Sequence, residues 1–550
     1  MPETPHLHIP GVNPNPSDPS PKEQRPPPPF EPKPRLHVLG YIVASIVVAI
    51  AMSLSQGFTT ANAQRIAGDL GASQTESLWL TAAYMIPRAS LSLMLVKLRT
   101  QYGLRNFAIL SVACFALVNF ATLWVDGLHS AIVVQFFAGC ASAPLASVAV
   151  LYMLEVLPLP KKMTFGIPLV MTFILVGTPL AYAISPALYH HFNYLSLRQM
   201  EFGLSLLMIG LIYTLPLTPM PRVPVISVMD VITFSLLAIG FGSVVVVFFW
   251  GTTVWWTDAM WLGVVACLAL LCLSAFVAIE LKRDRPLIDL RWLVSWPILR
   301  LAAALFLMRM LLSEQTVGIP RLLSTIGYSY DQLWLLFLII TIATISGGIV
   351  CVLTFKMERM PEMHMAALAM MALGLALDTR VNAQWGPQQF YVSQALLGFA
   401  STIFLPTAMA NGIMNAFRRS PNYLLSFIAV FLASQSLGAV IGSGIFRSTV
   451  QLRTTFHTEL LNGQLMEGNP MVSSTIAQLK QLYAATSADP TVIKSEALSQ
   501  LSSNVSVQAN VLAYADAFHA LLYLALFTLS CLIINYLWTK RKERLQSQPA

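Results

Sequence analysis

Two arginines stand where a helix surrounded by lipid would not tolerate them. Arg88 follows Pro87 near the middle of one long apolar run, and Arg309 lies near the middle of another. A guanidinium about 15 Å from either interface cannot snorkel fully to water, and a central Arg costs between about 2.5 and 17 kcal/mol, so each must face protein or a water-filled space. No acid lies within one helical turn of Arg88. Glu314 follows Arg309 by five residues, which puts it about 140° around the helix and badly placed to neutralise the arginine. Two readings are open. The pair could present positive charge to a central cavity and favour substrates with a carboxylate or other anionic group. Alternatively, each could be held structurally by backbone carbonyls or by an acid from another helix, such as Glu314 or Glu201.

A proton-coupled carrier needs a group that changes protonation inside a cavity. Candidates are few: Glu314, Glu201, Asp516 and His519. Glu314 is nearest to membrane depth, with an ion pair as the other reading. Asp516 and His519 fall in the expected first turn of the last apolar run, where the helix dipole alone favours an aspartate. His190-His191 has no further ligands nearby and reads as a solvated loop, so no metal is expected. The six cysteines all lie in apolar runs and read as buried free thiols. No Walker loop, nucleotide fingerprint, nucleophile elbow or HExxH is present, so the expectation is a chain without cofactor that is not an enzyme.

The elements that must position these groups follow from composition. Of 550 residues 56% are hydrophobic and only 11% charged, against roughly 25% in soluble domains. Spanning helices need about 20 mostly apolar residues. Fourteen such runs fall at about 38–60, 77–97, 106–125, 131–154, 163–187, 200–218, 229–250, 257–280, 296–317, 331–355, 363–380, 388–414, 422–446 and 515–538. Their grouping gives a Pro-rich tail (1–37), a six-helix half (38–218), two extra helices with a linker (219–295), a second six-helix half (296–538) with an external loop at 447–514, and a basic tail (539–550). Run lengths exclude a barrel, whose strands would be about 10 residues. Of the 33 Lys and Arg, 23 fall on the side of both termini and 8 on the other, so both termini are expected in the cytoplasm. The basic balance is therefore one of topology, and no nucleic-acid partner is expected. Trp250, Trp255, Trp256 and Trp261 flank the short loop between the extra helices and read as headgroup-level anchors in the surrounding lipid.

The order of several short motifs resembles the EmrB/QacA type of multidrug efflux transporter, the fourteen-helix branch of the major facilitator superfamily. They are Ile66-Ala67-Gly68-Asp69-Leu70-Gly71 with Trp79 and Tyr84; Gly139 with Pro144-Leu145; Gly327-Tyr328-Ser329; Trp385, Pro387, Gln394, Gly398 and Pro406; Leu437-Gly438 and Gly442; and Gln508-Ala509 with Asp516. The resemblance implies an all-α membrane protein of the major facilitator fold, its fourteen helices arranged six, two, six, with halves that rock around a central site.

The chain departs from that pattern at several points. The cytoplasmic loop motif reads Val96, Thr100, Gly103, Arg105, which keeps only its last glycine and arginine as the conformational-loop residues. Relatives' first-helix aspartate aligns with Ser55, beside Gln56, and two family arginines align with Gln135 and Gln435. The fifth-helix antiporter signature becomes Tyr182-Ala183-Ile184-Ser185-Pro186-Ala187. By this alignment Gln56, Gln135, Gln394 and Gln435 join Arg88 and Arg309 as substrate-cavity residues, or serve as helix-to-helix hydrogen bonds, and Glu314 is the proton-coupling candidate. The implied function is a proton-driven exporter of small amphipathic, perhaps anionic, compounds in a bacterial inner membrane. The resemblance implies a periplasmic adaptor and an outer-membrane channel as partners. An uncoupled facilitator and a transporter-like sensor that has lost transport are the alternatives.

Overall fold

The computed structural model describes residues 34–546 apart from 159–160, 220–221, 284–285, 420–422, 466–469 and 486–488. Most of the Pro-rich tail and the last four residues therefore lie outside the described residues. Described residues are helical or connecting, with fourteen helical segments long and apolar enough to cross a membrane.

The first half comprises α1 (Arg35–Asp69), α2 (Gln74–Tyr102), α3 (Leu104–Ala121), α4 (Leu128–Glu155) and α5 (Ile167–Thr214). The extra helices are α6 (Val228–Trp250) and α7 (Met260–Glu280). The second half contains α8 (Trp296–Leu311), α9 (Ile319–Ile326), α10 (Trp334–Thr354), α11 (Met360–Asp378), α12 (Tyr391–Arg419), α13 (Tyr423–Gln464), α14 (Pro470–Tyr483) and α15 (Pro490–Gln546). α8 and α9 form one spanning segment, Trp296–Ile326, joined by a wide π-turn at Glu314–Gly318.

Local chemistry sets several boundaries. Ser73 and Glu76 form a reciprocal capping box that starts α2, and Ser227 with Asp230 does the same for α6. Gly103 closes α2 at φ 79°, a left-handed conformation that glycine adopts without a Cβ clash. Gly139 lets α4 approach α2: a Cβ there would lie 2.2 Å from the carbonyl oxygen of Tyr84. The halves meet where α5 packs on α10 and α2 on α13. Leu117, Leu270 and Leu353 are among the large apolar side chains left on the outer surface, as a lipid-facing belt requires.

Four sequence expectations change. The connection expected at 188–199 has helical backbone throughout, within a single helix that carries the windows Lys162–Tyr189 and Leu195–Thr214. At 447–514, where the sequence allows short surface helices, α14 is one, but the described remainder is an extension of spanning helices: α13 runs on to Gln464 and α15 begins at Pro490. Hydropathy finds membrane crossings, and these polar helices are stabilised by packing α13 and α14 against α15 instead. Asp489 starts α15 by accepting from the Thr491 hydroxyl at 2.7 Å and amide at 2.8 Å, which holds its carboxyl below the usual range. Cys114, Cys267 and Cys531 are exposed on the apolar exterior, and only Cys272 and Cys351 are fully buried. Trp250 is buried against Trp79 with ring centroids 4.1 Å apart, and Trp256 donates to Ser448 at 3.0 Å, so these two dock the extra helices onto α2 and α13.

Candidate functional site

Arg88 projects from α2 toward α1, where its guanidinium donates to the amide oxygen of Gln56 and, at 3.2 Å, to the Tyr84 hydroxyl. Arg309 projects from α8 toward α13 and donates to Gln435 Oε1 at 2.6 Å. Both arginines are half-buried, and they are close enough to act on each other electrostatically. One comes from each half. Among the described residues neither is paired with a carboxylate, so each glutamine satisfies an N–H without cancelling charge. Glu314 and Glu201, the acids considered as partners, lie elsewhere.

Glu314 is fully buried, as are Asp378 at the end of α11 and Gln394 near the start of α12. Gln394 Nε2 donates to Glu314 Oε1 at 3.2 Å and to Asp378 Oδ2 at 2.8 Å. Gln315 donates to the carbonyl of Gln394 at 2.8 Å, which ties the π-turn to α12. Gln394 is therefore a bridge between acids, away from the two arginines' glutamine partners. Gln135, on α4, accepts from Thr59 at 3.4 Å, a contact between helices. Glu201 lies in the sixth span near Ser55, where the aligned first-helix aspartate is missing, and no hydrogen bond joins the two.

Asp516 lies well inside α15, so the expected role in a first helical turn is wrong. The helix starts at Pro490, and Asp516 instead accepts from Arg453 at 2.6 Å and contacts His457 Nε2 at 2.7 Å. His519 is turned onto the Ala515 carbonyl. Arg105 is exposed, just past the Gly103 turn. The charged latch at that end of α2 uses Lys97, which sequence reasoning passed over: Lys97 and Arg283 both bind Asp230, at 2.6 and 2.7 Å, and Arg283 also binds Glu280 at 2.8 Å.

No family model and no curated protein matches the sequence. Solved structures do match. The human organic anion transporter MFSD10 (TETRAN) aligns at a TM-score of 0.54 over 90% of this chain and 100% of that one, with 13% identity. The chain has the major facilitator fold. The proton:xylose symporter XylE, of the major facilitator superfamily, aligns at 0.48 over 87% of this chain and 94% of its own, with 14% identity. The nucleoside transporter NupG aligns at 0.49 over 90% and 99%, with 12% identity. At such identities the likeness extends to architecture alone.

Proposed function

We propose that this protein is a secondary transporter that exports small amphipathic compounds carrying an anionic group, by alternating access and driven by proton entry. The observation that carries the reading is the pair Arg88 and Arg309: two half-buried cations, one from each half, each held by a glutamine and neither neutralised by an acid. An anionic substrate held between them would pair with both and bind the halves to each other, which is what a carrier needs in its loaded state. The organic anion transporter shares only architecture with this chain, so the anion reading rests on the arginines. Glu314 is the proposed coupling group. The proposed setting is a bacterial inner membrane with both termini in the cytoplasm, and the helices at 447–514 offer a docking surface for a periplasmic adaptor leading to an outer-membrane channel.

The test replaces each arginine by glutamine in cells and follows export of a carboxylated dye and of a cationic dye, with protein level monitored. Loss of a charged hydrogen bond, about 1.5–3 kcal/mol, corresponds to a roughly tenfold to hundredfold weaker interaction with the carboxylate. Export of the cationic dye should change far less. Equal loss for both dyes would refute anion selection. The uncoupled facilitator is the second reading, favoured by the replacement of the antiporter signature at 182–187. Downhill movement that ignores an imposed pH gradient would establish it.

A further inference from the structure

Three buried acceptors come together in the second half, and the hydroxyl beside Asp378, that of Ser393, donates to the Phe390 carbonyl at 3.1 Å. Glu314 Oε2, Asp378 Oδ1 and Gln394 Oε1 are enclosed and meet no hydrogen-bond partner, while the Gln394 N–H group already serves both acids. Both carboxyl groups accept from the same Gln394 nitrogen, which holds them side by side. Two carboxylates in contact away from water cannot both be ionised, and each buried acceptor left unpaired costs about 1–3 kcal/mol. A single proton removes one of the charges and pairs the two acids, because one then donates to the other, and of the three acceptors it leaves Gln394 Oε1 alone.

The surroundings offer no competing counter-ion. Arg309 is engaged by Gln435, and Arg380, two residues beyond Asp378, is exposed. Arg321 and Arg447 act on Tyr514 of α15 and on neither acid, and His519 faces the Ala515 carbonyl. A metal cation fits poorly, since the Gln394 N–H group points at both carboxylates. The position is also informative. Glu314 lies about 18 Å along the helix from the outer end of Trp296–Ile326 and about 27 Å from the inner end, and Asp378 is the last residue of its helix. The adjoining π-turn at Glu314–Gly318 is a hydrogen-bond pattern that one-residue shifts create and remove.

We propose that Glu314 and Asp378 hold one proton between them and that this acid pair, rather than Glu314 alone, is the proton carrier of the transport cycle. The carrier role rests on the proton-driven reading above; the shared proton does not. The step is a proton transfer only: an O–H bond forms when a proton from the outer medium reaches the enclosed pair, and the same bond breaks, the proton leaving to the cytoplasm, when the inward-open form admits water that solvates both carboxylates.

Infrared titration of the full-length protein in lipid reads the pair without any substrate. The unsubstituted protein should show one protonated carboxyl signal that Glu314→Gln and Asp378→Asn each alter. In proteoliposomes with the carboxylated dye, both variants should lose accumulation driven by a pH gradient and keep downhill exchange, while the swap Glu314→Asp/Asp378→Glu keeps both. The swap also guards against misfolding of a single variant. An infrared signal untouched by Asp378→Asn overturns the shared proton. Loss of coupling in Glu314→Gln but not in Asp378→Asn overturns the paired carrier and leaves the coupled reading standing. Accumulation that follows a sodium gradient instead of a pH gradient overturns the proton assignment. An unsubstituted protein that ignores every imposed gradient overturns the coupled reading and the carrier role, and leaves the infrared result to decide the pair.

Discussion

Replacing Asp230 by Asn should destabilise the protein more than replacing Lys97 by Met, and the reason is the number of charged bonds each side chain makes at the start of α6. Lys97 and Arg283 are balanced by Asp230 and Glu280, with side-chain exposures of 13% and 15% for the cations against 1% and 0% for the acids. Asn keeps the shape but leaves two neighbouring cations with one acid between them, and removing one member of a buried pair costs about 3–5 kcal/mol. Lys97→Met leaves the mirror imbalance, two acids on Arg283, but it breaks one charged hydrogen bond, about 1.5–3 kcal/mol, where Asp230→Asn weakens two of them and the cap on Ser227 as well. The double variant Lys97→Met/Asp230→Asn should then cost less than the sum of the two, since the stranded lysine is gone. Reversible unfolding of the purified protein in detergent measures all three. An Asp230→Asn loss no greater than that of Lys97→Met, or strictly additive losses, would refute the reasoning.

Gly139→Leu should cost at least about 1–3 kcal/mol in the same assay, since its Cβ would meet the Tyr84 carbonyl at 2.2 Å and Pro87 Cγ at 2.8 Å. Gly263→Ala, in α7 with open space around it, should be neutral or slightly stabilising. In a cysteine-free background, Lys494→Cys should be labelled from outside intact cells and Lys540→Cys only after permeabilisation; the reverse pattern would overturn the topology.

Much of the architecture was legible because a membrane crossing demands an apolar run of fixed length, and fourteen such runs are plain in the sequence. Arg88 and Arg309 were visible for the same reason, as charges in the wrong solvent. Asp378 was not, because it sits at the edge of its run, followed by Thr379 and Arg380, and reads as an ordinary surface residue. Only the packing of α11 and α12 together shows that its carboxyl turns inward to Gln394. Asp230 and Glu280 were hidden in the same way at the ends of the extra helices. Asp516 was misread because the residues from 490 onward are too polar to look like part of a crossing, although they are continuous with one.

The extra helices are fastened to both halves at once. At the start of α6 Asp230 grips Lys97 of α2, while at the other end the carbonyl of Phe248 accepts from Arg447 and Trp256 donates to Ser448, both on α13. A segment tied to one body at both of its ends, here by Asp230 on Lys97 and by Trp250 on Trp79, and to the other body at one end is a lopsided brace. In the proposed alternating-access cycle the brace must bend or release an anchor when the bodies tilt, so its stiffness would enter the energy difference between outward-open and inward-open forms. Its removal would change how often the protein switches before it changed what the centre binds.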